Sequence, residues 1–204
     1  MLFNQGRKYD FLPIIQTEKD NMLQTVDEMR LLGLVVMSDL RWQENTNQMC
    51  KKAYSRLWMV RNLKKLGVPK SDLLDIYYKQ CRSIIELAVP AWNSGLTQKQ
   101  IVEIERVQRV AVQIILSDSK TGKSAFSYDM GLVVLDLEPL EIRREKLCRT
   151  FAKKTLLSKH SDLFNTRKNP HNTRLRKDYF EYKCNTKRFY NSPVNYLTRL
   201  LNEK

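Results

Sequence analysis

Leu31-Leu32-Gly33-Leu34-Val35-Val36-Met37-Ser38-Asp39-Leu40-Arg41-Trp42 leads, after a polar break, into a basic helix-like pattern over residues 48–66. Leu34, Val35 and Val36 form an apolar, β-prone run between Gly33 and Ser38-Asp39, which predicts a short strand. Beyond the break, Met49, Ala53, Leu57, Val60 and Leu66 recur at three-, four- and six-residue steps, which predicts a helix with one apolar stripe. Lys51, Lys52, Arg56, Arg61, Lys64 and Lys65 fill its remaining turns, and residues 48–66 contain no acidic residue. A strand followed by a purely cationic helix sets the expected fold class: mainly α, with a small N-terminal β segment.

Upstream, Val26-Asp27-Glu28-Met29-Arg30-Leu31 leads into that strand, Met1-Leu2-Phe3-Asn4 reads as the end of another, and Phe11-Leu12-Pro13-Ile14-Ile15 is the one apolar patch between them. Residues 1–40 are thus a β segment, marginal unless something packs on its face. Downstream, Gly67-Val68-Pro69 ends the basic helix in the Gly-then-Pro order expected past a C-terminus. Ser71 or Asp72 caps a second helix with a stripe of Leu74, Tyr77, Cys81, Ile84 and Ala88, which Pro90 stops, leaving Trp92 and Leu96 in a connection. Thr97 and Gln100 form a capping box for a third helix, apolar at Ile101, Ile104, Val107, Ala111, Ile114 and Ile115 and polar at Glu103, Arg106, Arg109 and Gln113. Residues 41–116 are therefore expected to pack as a three-helix bundle.

Residues 117–157 read as a polar loop with one helical turn near Phe126 to Met130, then a fourth helix with Pro139 at its first position, burying Leu140, Leu147, Cys148, Phe151 and Ala152. Residues 158–204 lose the periodicity. Arg167, Lys168, Arg174, Arg176, Lys177, Lys183, Lys187 and Arg188 interleave there with Phe164, Tyr179, Phe180, Tyr182, Phe189 and Tyr190. The expectation is a loosely ordered basic, aromatic tail with a short closing helix near Val194 to Leu201.

The 204 residues are 42% hydrophobic, enough to bury a core, and 36 basic against 22 acidic residues give a net charge of +14 and a pI near 9.7. That balance makes a polyanion the natural partner, the alternative being a solvated basic surface without a specific ligand. Cys50, Cys81, Cys148 and Cys184 are widely spaced, with no Cys-x-x-Cys pair of the zinc-binding kind, and read as free, partly buried thiols in a reducing compartment. No run approaches the roughly 18 apolar residues that span a bilayer, and the first residues lack signal-peptide character. An intracellular location, cytoplasm or nucleus, without membrane attachment, is expected.

The Leu31-Leu32-Gly33 strand, the Asp39-Leu40-x-Trp42 turn and the Lys51-Lys52-Ala53-x-x-Arg56-Leu57-x-x-x-Arg61-x-Leu63-Lys64-Lys65 helix together resemble the passage from palm to thumb in reverse transcriptases of non-LTR (LINE-type) retrotransposons. The likeness continues through Ile76-Tyr77, Ile84-Ile85-Glu86, Val89-Pro90-Ala91-Trp92, Gly95-Leu96-Thr97, Ile104-Glu105-Arg106-Val107-Gln108-Arg109, Ile114-Ile115-Leu116 and Arg143-Arg144, covering residues 1–157. Tyr196-Leu197-Thr198-Arg199-Leu200-Leu201-Asn202 is a weaker echo. The resemblance implies a palm remnant over 1–40 and a thumb-like bundle over 41–116. Where many relatives carry a His after the Trp, this chain has Asn45-Thr46, a pair that can start the next helix by accepting backbone N–H bonds.

Polymerase chemistry needs carboxylates that hold two Mg²⁺ ions, yet the sequence has no Asp-Asp pair. The resemblance places the family's Tyr-x-Asp-Asp turn upstream of Met1, so no catalytic residue, metal or cofactor is expected. Asp39, Asp72, Asp118 and Asp136 read as caps and turns. Thr121-Gly122-Lys123-Ser124 lacks the Gly at position 117 and the preceding strand that a P-loop requires. His160-Ser161-Asp162 mimics two ligands of a two-His-one-carboxylate iron site, with only His171 left as the third. The Trp42 to Leu66 stretch is also similar to a segment of AlkB-like repair proteins, which would imply oxygenase or methyltransferase chemistry, although no Gly-rich motif for S-adenosylmethionine follows a strand.

The function expected is therefore sequence-independent binding of RNA, DNA or an RNA–DNA hybrid, without a small-molecule substrate, through Lys51, Lys52, Arg56, Arg61, Lys64 and Lys65. The rivals are a helical protein-interaction module with an unknown partner, a decayed element product, and the AlkB-like segment.

Overall fold

The computed structural model describes residues 26–118, 126–166 and 178–203. Expectations for Met1 to Asn4, the Phe11 to Ile15 patch, the Thr121 to Ser124 loop, His171, and Arg167 to Lys177 lie outside the described residues. The described chain is mainly helical, with a two-stranded sheet ahead of the helices. It parts into two compact units, Met1–Gln48 and Met49–Lys204.

In the first unit, β1 (Glu28–Leu31) and β2 (Leu34–Met37) pair antiparallel, Leu31 opposite Leu34. Leu32 and Gly33 make the two-residue turn, both at positive φ (48° and 88°), the combination whose twist suits a tight hairpin. Val35 and Val36 are buried, and the Asn45 carboxamide oxygen accepts the Val35 backbone N–H at 3.1 Å. This corrects the role expected of Asn45-Thr46. The helix has already begun at Gln43, and Asn45 holds the strand instead of capping the helix.

α1 (Gln43–Lys65) buries Met49, Cys50, Ala53, Leu57 and Val60. It ends in a Schellman arrangement: Val68 N–H donates to the Leu63 carbonyl at 3.2 Å and Gly67 N–H to the Lys64 carbonyl at 3.1 Å, with Gly67 at φ 82°. Leu66 therefore sits past the last helical turn, 80% exposed, and does not belong to the apolar stripe as expected.

α2 (Lys70–Ile76) starts after Pro69 without a side-chain cap, so neither Ser71 nor Asp72 closes it, and it widens into a π-helical stretch, Tyr77–Arg82, before α3 (Ser83–Ile85). The buried positions are Leu73, Tyr77, Cys81 and Ile85, four residues apart throughout; Leu74 and Ile84 are half-buried and Ala88 exposed. Four residues overshoot an α-turn by about 40°, so this stripe would wind around a regular helix. The π turn, which spends an extra residue per turn, holds it on one side. Ala88 turns the chain at φ 49°, and Pro90 then occupies the first turn of α4 (Val89–Trp92). Pro90 thus begins a helix rather than stopping one, as its fixed φ and missing N–H allow at that position. Trp92 is fully buried and its indole N–H donates to the Leu87 carbonyl at 2.8 Å.

α5 (Gln98–Leu116) opens on the expected capping box, Thr97 N–H donating to Gln100 Oε1 at 2.7 Å. Ile104, Val107, Ala111 and Ile115 are fully buried along it. So is Gln108, which a polar-face reading leaves outside. Its Oε1 accepts from Tyr77 Oη at 2.8 Å, and its Nε2 donates to the Glu138 carbonyl at 2.8 Å and to Tyr128 Oη at 3.2 Å. One turn earlier Glu105 accepts from the Tyr128 hydroxyl and from Leu140 N–H, at 3.0 Å for Oε2.

α6 (Tyr128–Val134), capped by Ser127, is a full helix where one turn was expected. α7 (Leu140–Leu156) follows with Pro139 just before it, burying Leu140, Arg144, Cys148, Ala152 and Thr155. Phe151, expected inside, is 47% exposed, and Leu147 is half-buried, because the four-residue step Leu140-Arg144-Cys148-Ala152 takes the inner line. Arg144 is buried there with Nε donating to Asn93 Oδ1 at 2.9 Å; burial holds its pKa below the usual guanidinium value. After α8 (Lys187–Tyr190), the expected closing helix is α9 (Pro193–Asn202), which packs on α7 and buries Asn195, Leu197, Thr198 and Leu200.

At Gly131, a side chain would start against Val112 Cγ1, which is itself buried, and 3.3 Å from Leu116 Cδ1. Gly131→Ala should therefore destabilise the protein by about 1–3 kcal/mol in urea unfolding, although Ala is the better helix former. A neutral or stabilising result would show that α5 and α6 do not approach so closely.

Candidate nucleic-acid interface

A helix turns about 100° per residue, so the position of each α1 cation around the axis follows from its number. Lys51, Tyr54, Trp58, Arg61 and Lys65 fall within about 80° of one another, a solvent-facing line some 21 Å long. All five are exposed, Trp58 by 66% and Tyr54 by 37%. Lys52 and Arg56 are exposed as well, but about 100° and 140° around the axis from Lys51, past exposed Ser55 and next to the buried line of Met49 and Val60. The structure therefore divides the six sequence-predicted site residues among three places rather than one.

Lys64 is the exception in kind. Its angular position coincides with Ala53 and Leu57 in the buried stripe, so its stem is half-buried, and its ammonium donates to the Ile115 carbonyl at 2.8 Å. Burial foremost, then the neighbouring Lys70 charge, holds its pKa below the usual lysine value, with Asp118 acting the other way. The remaining five form no salt bridge among the described residues; the bridges present there engage Arg41, Lys79, Arg82, Arg143, Lys146 and Arg149. Their charge is thus open to solvent and to a polyanion.

Sequence reasoning missed Tyr54 and Trp58. The signal was present, since 51, 54, 58, 61 and 65 are spaced three, four, three and four apart, but counting cations alone hides it. An exposed aromatic flanked by cations offers a stacking face beside phosphate contacts.

In the C-terminal segment Phe180, Tyr182, Phe189 and Tyr190 are exposed too, but two of these rings and the Tyr179 backbone have polar partners. The Arg199 guanidinium lies 3.6 Å from the Tyr190 ring centre, Tyr182 Oη accepts from Asn165 Nδ2 at 2.7 Å, and Tyr179 N–H donates to Asn202 Oδ1 at 3.0 Å. Lys183, Lys187 and Arg188 are exposed.

Elsewhere, Asp39 accepts the Arg41 N–H at 2.9 Å as a turn residue does, and Asp136 sits in a turn at φ 50°. His160 lies in a turn after α7, and no group of His, Cys, Asp and Glu among the described residues is arranged to hold a metal ion. All four cysteines are free. Burial pushes the thiols of Cys50 and Cys81 up to about 11 and that of Cys148 up to about 12, so all three are protonated and inert at neutral pH.

In comparisons with known proteins, the chain matches no family model, no curated protein and no solved structure.

The thiol geometry is directly measurable. At pH 8, Ellman's reagent should react with half-buried Cys184 in the native protein and with Cys50, Cys81 and Cys148 only on unfolding. Rapid reaction of more than one thiol under native conditions would contradict the burial of these side chains.

Proposed function

We propose that this chain is a nucleic-acid-binding relative of the palm-to-thumb region of LINE-type reverse transcriptases, gripping RNA, DNA or their hybrid without reading sequence and without catalysis of its own. The observation that carries the proposal is the exposed Lys51-Tyr54-Trp58-Arg61-Lys65 line on α1, whose cations pair with no carboxylate among the described residues. The resemblance in residues 1–157 supports the same reading, since it places the basic helix in the thumb and the metal-holding Asp-Asp turn outside these 204 residues.

The physics of such a grip is displacement of counterions. Each phosphate neutralised by Lys or Arg releases condensed cations, so affinity falls with salt in proportion to the number of contacts. Trp58 and Tyr54 add sequence-tolerant stacking on unpaired bases. A single strand would lie along α1 with its backbone toward the cations. Lys52 and Arg56, farther around the axis, would strengthen the surrounding potential without touching the same strand.

A second reading, a helical interaction module, draws on Met130, Val133 and Val134, which leave an exposed apolar surface on α6. Concentration-dependent self-association in size-exclusion chromatography, without retention of nucleic acid, is the behaviour it requires.

Fluorescence polarisation with a labelled oligonucleotide over a salt series tests the main proposal. Reversing charge at Lys51, Arg61 and Lys65 together should flatten the plot of log affinity against log salt by about 2, at roughly 0.7 per single-strand phosphate contact. Absence of binding at low ionic strength, or an unchanged slope, would end the proposal. Trp58→Ala should cost about 1–3 kcal/mol in single-strand affinity while leaving the melting temperature nearly unchanged. Equal loss on duplex would show that the indole is not stacking on unpaired bases.

A further inference from the structure

We propose that the pocket between the C-terminal halves of α1 and α5 seats a single nucleotide unit, its phosphate on the α1 cations and its base against the apolar wall of α5. This rests on the nucleic-acid reading above and gives that shallow surface a site with depth.

The cavity measures about 390 Å³, within the size range of small-ligand pockets. α1 contributes Arg61, Lys64 and Lys65; α5 contributes Val110, Gln113 and Ile114. Asp118, just past α5, also lines it. Three cations against that one carboxylate favour an anion. Val110 and Ile114 offer apolar surface that a bare inorganic anion would leave wet but a nucleobase face would cover. A carboxylate repels phosphate, so the phosphate belongs on the α1 side, away from Asp118.

The end of α5 is already arranged around a cation. Of its last four carbonyls, Gln113 accepts from Ser117 N–H at 2.9 Å, Ile114 from Ser117 Oγ at 2.9 Å, and Ile115 from Lys64 Nζ at 2.8 Å. That last bond uses one of three ammonium donors, leaving two for a ligand oxygen. Lys64 is thereby fixed in place instead of waving in solvent, so less side-chain entropy is lost when an anion arrives. Arg61 and Lys65 belong both to the pocket and to the exposed line of α1. A strand following that line would reach the pocket with an end nucleotide or an unstacked one.

The test uses the full chain and three probes: adenosine 5′-monophosphate, inorganic phosphate and a long labelled oligothymidylate. Calorimetry should show the monophosphate binding more tightly than phosphate. Gln113→Trp fills the pocket from an exposed position, and Lys64→Met removes the fixed ammonium; each should weaken monophosphate binding about tenfold with the helical circular dichroism signal intact. Monophosphate binding no better than phosphate, or indifferent to both substitutions, would overturn the proposal. Oligothymidylate binding with no monophosphate binding would overturn the pocket while sparing the proposed grip, whereas loss of both would overturn the two together.

Discussion

The helical unit is held in register by one buried polar junction on α5. Gln108 has no exposed surface, and an amide buried without partners would cost several kcal/mol, so its bonds to Tyr77, Tyr128 and the Glu138 carbonyl fix where three other segments must lie. Glu105 completes the junction by accepting from Tyr128 and from the first N–H of α7, where a carboxylate also complements the helix dipole. Burial, and then the bond to Glu105, pushes the Tyr128 phenol above its usual range, which keeps it a donor. Apolar contact alone would let helices slide past one another; these directional bonds permit one arrangement.

This rigidity bears on the proposed interface because α1 contributes to the core and to the surface at once. Ala53, Leu57 and Val60 occupy its inner line while Lys51, Tyr54, Trp58, Arg61 and Lys65 occupy the outer one. A flexible basic tail loses conformational freedom when it binds a polyanion, whereas cations on a packed helix are already spaced. The fixed spacing suits contacts to a repeating backbone and carries no base discrimination, as expected for phosphate contacts.

Much of the architecture was legible because short-range rules govern it. The capping box at Thr97 and Gln100, the glycine past α1, the hairpin strand at Leu34 to Met37 and the closing helix all follow from local chemistry. The misreadings arose where tertiary context outweighs pattern. Gln108 and Arg144 look like surface residues until their partners are known, and Phe151 looks like core although a four-residue line passes it by. Pro90 reads equally well as a stop or a start, and only the left-handed turn at Ala88 decides it. In the candidate site, the cations were readable from composition; their distribution around α1 required the helix phase, and the capture of Lys64 by Ile115 required knowing which helix lay alongside.

The π-helical stretch at Tyr77–Arg82 has an implication for how this chain can vary in length. Removing the extra residue of that wide turn would let the backbone relax to ordinary α-geometry while the helix beyond it keeps its facing. Ile85, fully buried just past the wide turn, would stay on the inner side, whereas the same deletion inside a regular helix such as α5 would turn everything beyond it by about 100°. Insertions and deletions are ordinarily absorbed by loops, but in this segment a helix itself carries one residue that its register does not need, so the chain can change length there without moving the core.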